Sequence, residues 1–92
     1  MSTVIINESV RSVRGQDGAL LLDLERGVYL SLNKLGSEIW AQLQDGVRLP
    51  ELVAALSGRF EVAPARLRED VEKFLRQLAE RGLVSLDGRP QP

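Results

Sequence analysis

The residue types that most often carry out chemistry in proteins are scarce in this sequence of 92 residues. Histidine and cysteine are both absent, which removes the commonest general base, the thiol nucleophile and the two preferred ligands of zinc. Carboxylates remain, and they could act as an acid–base pair or hold a hard metal ion. However, the thirteen Asp and Glu residues are scattered singly among twelve Lys and Arg residues, as on a solvated surface. We therefore expect no catalytic residues, no metal site and no cofactor, and we predict that the chain is not an enzyme.

The overall composition also limits the classes of partner. The net charge is −1 and the sequence pI is about 5.4, whereas nucleic-acid binding usually requires a basic surface. The longest apolar runs are too short to cross a bilayer, and the segment MSTVIINESV lacks the features of a secretory signal. We predict a cytoplasmic protein that binds neither nucleic acid nor a membrane. The length predicts a single domain over residues 1–92, with a core over about residues 4–86.

The first third of the chain predicts β-strands. Strand-like segments are VIINESVRSVR (residues 4–14), ALLLDL (residues 19–24) and VYLSL (residues 28–32), and the turn-forming GQDG separates the first two. Two successive hairpins of this kind form a small antiparallel meander with residues 19–24 in the middle. Both outer strands are then edges of the sheet.

The loop of the second hairpin decides which side chains face the core. A two-residue loop would oppose the leucines of one strand to the polar face of the next strand. A three-residue loop, residues 25–27, pairs Leu24 with Val28 and ends in Gly27, at a position that requires a positive φ. This register places on one face Leu20, Leu22, Leu24, Val28, Leu30 and Leu32.

The remaining two thirds of the chain predict three helices. Asn33 is a suitable N-cap for the first helix, in which apolar residues recur at helical spacing up to Asp45. The second helix begins near Pro50, and the third begins at Pro64 and ends near Arg81. The sequence therefore predicts an α+β fold: a three-stranded antiparallel β-meander followed by three helices, in a winged helix-turn-helix-like arrangement.

The third predicted helix is apolar over a wider arc than one core contact requires. Its predicted core stripe contains Leu67, Val71, Phe74 and Leu78. Leu75 and Ala79 extend this stripe on one flank, whereas the other flank is polar. The residues alone leave two interpretations open: the extra width packs inside the protein, or it forms the apolar wall of a groove.

The third predicted strand is an unusual sheet edge, because VYLSL contains neither a charge nor a proline that would block pairing with another chain. One interpretation is that an extended peptide adds to residues 28–32 as a further strand. The alternatives are a covering element of the same chain, or dimerisation through this edge. On the first interpretation, replacing Leu30 with proline is expected to remove an edge donor and to weaken peptide binding.

The order of the three helices and the short segment after Gly82 also resemble a winged helix-turn-helix. Many such domains bind DNA, so a winged-helix transcriptional regulator is an alternative function. The charge balance of the last helix argues against it, because the excess of positive charge available for phosphate contacts is small. The charged residues are Arg66, Arg68, Lys73, Arg76 and Arg81 against Glu69, Asp70, Glu72 and Glu80.

The most specific motif runs from the third strand into the first helix. The string GVYLSLNKLGSEIW, residues 27–40, fits the pattern G-x-Y-x-x-L-N-x-x-G-x-x-I-W. Together with LQDG, LPELVAAL and LREDVEKFLRQLAERGLV, it resembles the PqqD-like family, the recognition elements for ribosomally synthesised and post-translationally modified peptides. The resemblance covers about residues 10–86. Within the family, the chain is most similar to the free-standing leader-binding B proteins of lasso-peptide pathways.

The resemblance implies a three-stranded sheet packed on three helices, and a function in binding the leader segment of a precursor peptide. The leader would be held as an added strand on the third strand, beside the third helix, and delivered to a separate transglutaminase-like leader peptidase or another modifying enzyme. A peptide chaperone of pyrroloquinoline quinone biosynthesis is the alternative within the family. The strand positions follow from the motif and the helix positions from the helical wheel. The implied leader-binding residues are Val28, Tyr29, Leu30, Ser31, Leu32, Arg68, Val71, Glu72, Leu75, Arg76 and Ala79.

Overall fold

The computed structural model describes residues 4–86. Its elements are β1 (Val4–Ile6), β2 (Val10–Arg14), β3 (Gly18–Asp23), β4 (Val28–Asn33), α1 (Lys34–Gln44), α2 (Leu49–Phe60), α3 (Pro64–Glu80) and β5 (Val84–Leu86). β2, β3 and β4 form a three-stranded antiparallel sheet in that order, and β1 pairs with β5 in a second antiparallel sheet. The predicted α+β fold, a meander followed by three helices, is confirmed. Residues 1–3 and 87–92 of the predicted domain lie outside the described residues.

The first predicted strand is interrupted at Asn7, so that residues 4–14 form two strands instead of one. The Asn7 side chain accepts a hydrogen bond from the Ser9 N–H at 3.1 Å, and the Asn7 carbonyl accepts one from the Val10 N–H at 3.1 Å. This local bonding by an asparagine side chain forms a turn that competes with strand pairing. β1 therefore leaves the meander, and its partner is β5, which follows the last helix.

The predicted register of the second hairpin is wrong by one residue. Asp23, not Leu24, lies opposite Val28, and a four-residue turn joins β3 to β4. The cause is the Asp23 carboxylate, whose Oδ1 accepts hydrogen bonds from the N–H groups of Glu25 (3.1 Å) and Arg26 (3.2 Å) and so starts the turn one residue earlier. The β3 side chains that face the core are Ala19, Leu21 and Asp23, whereas Leu20 and Leu22 point outward. Leu24 is exposed in the turn.

The orientation of β4 is the predicted one. Leu32 is buried and Leu30 is half-buried, whereas Tyr29 and Ser31 are exposed on the opposite face. Gly27 has a φ of +68° at the end of the turn, as the sequence predicts. The alternation of apolar and polar residues in β4 thus identifies its buried face correctly.

The first helix is capped by Asn33, whose side-chain oxygen accepts a hydrogen bond from the Gly36 N–H at 2.8 Å. Because Asn33 is also the last residue of β4, the strand passes into α1 without a linker. α2 and α3 each carry a proline in the first turn, Pro50 and Pro64, as the sequence predicts.

The hydrophobic core lies between the inner face of the three-stranded sheet and the helices. α1 packs against β3 and β4, and α2 packs against both α1 and α3. Trp40 from α1 and Leu21 from β3 are buried in this core. No helix within residues 4–86 has the length and apolar character needed to cross a membrane.

Candidate functional site

β4 forms one edge of the three-stranded sheet, and no strand within residues 4–86 pairs with its outer side. Residues 28–33 include neither a charged side chain nor a proline, so nothing in this strand blocks pairing with another chain. The opposite edge, β2, carries Arg11 and Arg14. Charged side chains are a common means of protecting a sheet edge, so β4 is the edge better suited to accept an added strand.

The backbone groups of β4 that remain free follow from the geometry of the two hairpins. The Gly15 N–H donates to the Gly18 carbonyl at 2.8 Å, so Gly18 directs its backbone groups toward β2. Because this direction alternates along an antiparallel strand, Leu21 directs its groups toward β4, where its partner is Leu30. The residues on either side of Leu30 therefore direct their N–H and C=O groups toward the outer edge.

These two residues are Tyr29 and Ser31, both of which belong to the predicted site. Each offers one donor and one acceptor, and their spacing of two residues is the repeat at which antiparallel strands exchange pairs of hydrogen bonds. The expectation that Leu30 supplies an edge donor is wrong, because the Leu30 N–H faces β3. An added strand on β4 would therefore bond to Tyr29 and Ser31.

The predicted site residues of α3 lie in different environments. Val71 and Leu75 are 0% and 6% exposed and belong to the core. Arg68 and Glu72 line a groove of about 560 Å³ between α2 and α3. The structure therefore brings the predicted strand residues together, but it divides the predicted helix residues between the core and the side of α3 that faces α2. The two remaining predicted positions are the exposed Arg76 and the half-buried Ala79.

The opposite flank of α3 carries an aromatic residue that the sequence analysis assigned to the core. At 100° per residue, Phe74 lies roughly 160° around the helix from Glu72, and it is half-buried. Asp70 and Gln77 share this flank, which made it look polar. The closest backbone neighbours of α3 are α2 and β5 rather than β4. Phe74 packs against the core and keeps part of its ring accessible, on the flank of α3 away from the groove with α2.

A comparison with protein families covers these same elements. The profile of the family described as "Coenzyme PQQ synthesis protein D (PqqD)" matches residues 18–84, which include β3, β4 and all three helices. The chain belongs to this PqqD family. The match contains both the open edge of β4 and α3, and it confirms the resemblance inferred from the motif at residues 27–40.

Two solved structures are similar to this PqqD-family chain. TbiB1 in complex with the TbiA(beta) leader peptide is 33% identical in sequence, with a TM-score of 0.83 over 95% of this chain and 99% of that chain. A lasso peptide synthetase B1 complexed with the leader peptide has a TM-score of 0.82 over 90% of this chain and 98% of that chain. The second structure is 23% identical, so its similarity is one of fold. No match was found among curated proteins.

The PqqD-family fold of this chain also contains a buried carboxylate at the beginning of the β3–β4 turn. Asp23 is 1% exposed, and its Oδ1 accepts a hydrogen bond from the Ser9 hydroxyl at 2.8 Å in addition to those from the turn. Arg26 Nε lies 3.7 Å from Asp23 Oδ2. Asp23 is not among the predicted functional residues, although an aspartate inside the run ALLLDL is a signal that one acidic side chain shares a face with apolar residues.

The surroundings of Asp23 lower the pKa of its carboxyl group. Burial raises this pKa, but the hydrogen bonds from the Ser9 hydroxyl and the Arg26 and Glu25 N–H groups, with the charge of Arg26, outweigh it. We expect the free energy of unfolding to fall as the pH drops below about 3.9, the ordinary aspartate pKa. The fall continues until the pH passes the lower pKa of the folded state, because the unfolded chain binds the proton first. Between about pH 6 and about pH 2.5, the Tm of Asp23→Asn should therefore fall by less than the Tm of the wild type.

The control for this prediction is Asp17→Asn, at an exposed aspartate in the β2–β3 turn. This variant should keep the acid dependence of the wild type. An Asp23→Asn curve that parallels the wild-type curve at every pH would contradict the role of the buried carboxylate.

Proposed function

We propose that this chain is a non-catalytic recognition module that binds the leader segment of a ribosomally synthesised precursor peptide. The observation that carries the proposal is the open edge of β4, whose outward-facing backbone groups include those of Tyr29 and Ser31. A leader that pairs with this edge would extend the sheet by one strand, with its alternate side chains on the two faces. The support from relatives is TbiB1, which is 33% identical and was solved with a leader peptide.

The leader would lie along residues 28–32 and against α3. We place its inward-facing side chains near the half-buried Val28, Leu30 and Phe74, because these are partly accessible apolar groups of β4 and of the flank of α3 opposite Glu72. Val71 and Leu75 would support this wall from the core. Contact of a leader with Arg68 or Glu72 would require it to reach the side of α3 that faces α2.

Binding of this kind needs no chemistry from the chain. The module would raise the effective concentration of the precursor at a separate enzyme, which we infer to be a transglutaminase-like leader peptidase of lasso-peptide biosynthesis. The proposal includes a cytoplasmic location, where the precursor is synthesised. Within residues 4–86, no group of three or more acidic side chains is placed to hold a metal ion. A chaperone of pyrroloquinoline quinone biosynthesis would use the same edge and differ in its partners.

The proposal is tested by titration with two probes. One is a fluorescein-labelled synthetic leader of the short precursor that the proposal predicts beside the gene of this chain, with the TbiA(beta) leader as a heterologous comparison. The other is random duplex DNA at low salt. We expect saturable binding of the leader and no saturable binding of DNA. Salt-sensitive DNA binding without leader binding would instead support the winged-helix regulator.

A second prediction concerns the flank of α3 opposite Glu72. Phe74→Ala should raise the Kd for the leader about 10-fold, the loss expected for one apolar side chain worth roughly 1.4 kcal/mol at an interface. Phe60→Ala is the matched control, because Phe60 is also a half-buried phenylalanine but lies at the end of α2. It should lower the Tm and leave the Kd unchanged. Equal effects of both variants on Kd would place the leader elsewhere.

A further inference from the structure

Three turns meet at one end of the molecule through polar contacts. They are the β1–β2 turn with Asn7 and Ser9, the β3–β4 turn with Arg26, and the α3–β5 turn with Gly82. The Asn7 side-chain amide donates a hydrogen bond to the Gly82 carbonyl at 3.3 Å. The Asn7 backbone N–H donates one to the Leu83 carbonyl at 3.0 Å. The end of α3 is thereby fixed to the β1–β2 turn.

Ser9 connects this pair of turns to Asp23, at the beginning of the β3–β4 turn. Its hydroxyl lies 3.0 Å from Asn7 Oδ1 and 2.8 Å from Asp23 Oδ1. A hydroxyl has one hydrogen to donate, and the charged carboxylate is the stronger acceptor, so the bond to Asp23 is favoured. Asn7 Oδ1 keeps the bond from the Ser9 N–H. The buried carboxylate is therefore held from the side of the β1–β2 turn as well as from its own turn.

Arg26 closes the ring of contacts. Its guanidinium lies directly against the backbone of Gly82, so closely that a Cβ at position 82 would overlap it. Gly82 has a φ of +75°, which also disfavours any other residue. The same guanidinium faces Asp23 Oδ2, which has no hydrogen-bond partner within the described residues. Arg26 thus lies between the carboxylate that begins the β3–β4 turn and the residue that ends α3.

We propose that Asp23 and Arg26 are positioning residues for leader binding, which hold the beginning of β4 at a fixed distance from the end of α3. The proposal rests on the proposed function, in which β4 and α3 are the two walls of the site. The other end of β4 runs directly into α1 through Asn33. With the Asp23–Arg26 pair in place, β4 is fixed at both ends.

Fixing the two walls affects affinity because β4 and α3 are not joined by close backbone packing along their length. A site whose walls must first be brought to the right separation loses binding free energy to that ordering, whereas a preorganised site does not. The ion pair itself is weak, since the Arg26 side chain is 54% exposed. Its effect is therefore expected mainly in the affinity for the leader and only slightly in stability.

The test uses Arg26→Gln, Asp23→Asn and the double variant, with the labelled leader from the titration of the wild-type chain as the probe. Each single variant should raise the Kd about 10-fold. The Kd of the double variant should not exceed the higher of the two single-variant Kd values, because both substitutions remove the same contact. Arg26→Lys should restore part of the affinity. The matched control is Arg59→Gln, which removes an exposed ion pair with Glu38 from a side chain that is also 54% exposed. Its Kd should equal that of the wild type.

The outcomes separate this inference from the proposed function. Absence of leader binding by the wild-type chain would overturn the proposed function and this inference with it. Wild-type binding with Arg26→Gln and Asp23→Asn within twofold of it would overturn this inference alone, whatever happens to the Tm. Additive losses in the double variant would show that the two residues act separately, and this too would overturn it.

Discussion

Replacing Ser31 with proline is expected to raise the Kd for the leader roughly 30- to 150-fold while the chain remains folded. Proline removes the N–H that faces the open edge, which leaves the leader without one backbone hydrogen bond and with an unpaired carbonyl. Such a loss is worth about 2–3 kcal/mol. The fold should tolerate the change, because prolines are found on edge strands where the N–H faces solvent. The Kd is measured by fluorescence anisotropy, and the fold by circular dichroism.

The opposite edge of the sheet provides the matched control. Val13 and Leu20 lie opposite each other and carry backbone groups that bond β2 to β3, so the Ser12 N–H faces the free side of β2. Ser12→Pro therefore makes the same chemical change on the edge that the leader does not use, and its Kd should match the wild type. Equal loss of affinity in Ser12→Pro and Ser31→Pro would mean that proline acts through the fold and not through the edge of β4.

The second large effect concerns the register of β3. Leu21→Ala is expected to cost about 2–5 kcal/mol of unfolding free energy, the range for a leucine removed from a packed core. Leu21 is 0% exposed, whereas Leu24 is 75% exposed. Leu24→Ala should therefore change the unfolding free energy by less than about 0.5 kcal/mol.

Urea unfolding of both variants, followed by circular dichroism, measures this difference. Both variants replace leucine with alanine, at positions only three residues apart. A difference in their unfolding free energies therefore reflects the burial of the two side chains. A costly Leu24→Ala together with a harmless Leu21→Ala would restore the register with a three-residue loop.

The two strands of this hairpin differ in how much of their structure the sequence reveals. In β4, the polar residues Tyr29, Ser31 and Asn33 alternate with apolar residues, so the pattern identifies the buried face without ambiguity. In β3, leucines occupy positions of both parities and the pattern cannot decide. The decision comes from Asp23, whose carboxylate starts the turn. The predicted register was based on the length of the loop and did not include the hydrogen bonds of this side chain, so it was wrong.

The helical part of the site illustrates a different limit. The wheel of α3 gives the width of its apolar arc, but which flank is covered depends on the position of α2, which is a tertiary contact. Leu75 is consequently buried and Phe74 only half-buried. The sequence had predicted Phe74 in the core stripe and Leu75 on its flank. The pairing of β1 with β5 was missed for a similar reason, because two strands of three residues each, joined across the whole fold, leave no local pattern.

Amide hydrogen exchange of the chain, measured with and without the leader, tests whether the leader adds to β4 as a strand. Adding a strand to β4 would place the Tyr29 and Ser31 N–H groups in new hydrogen bonds. We expect these two amides to become protected when the leader binds, whereas the Ser12 amide on the opposite edge should not. Leader binding that leaves the exchange of Tyr29 and Ser31 unchanged would contradict strand addition at this edge.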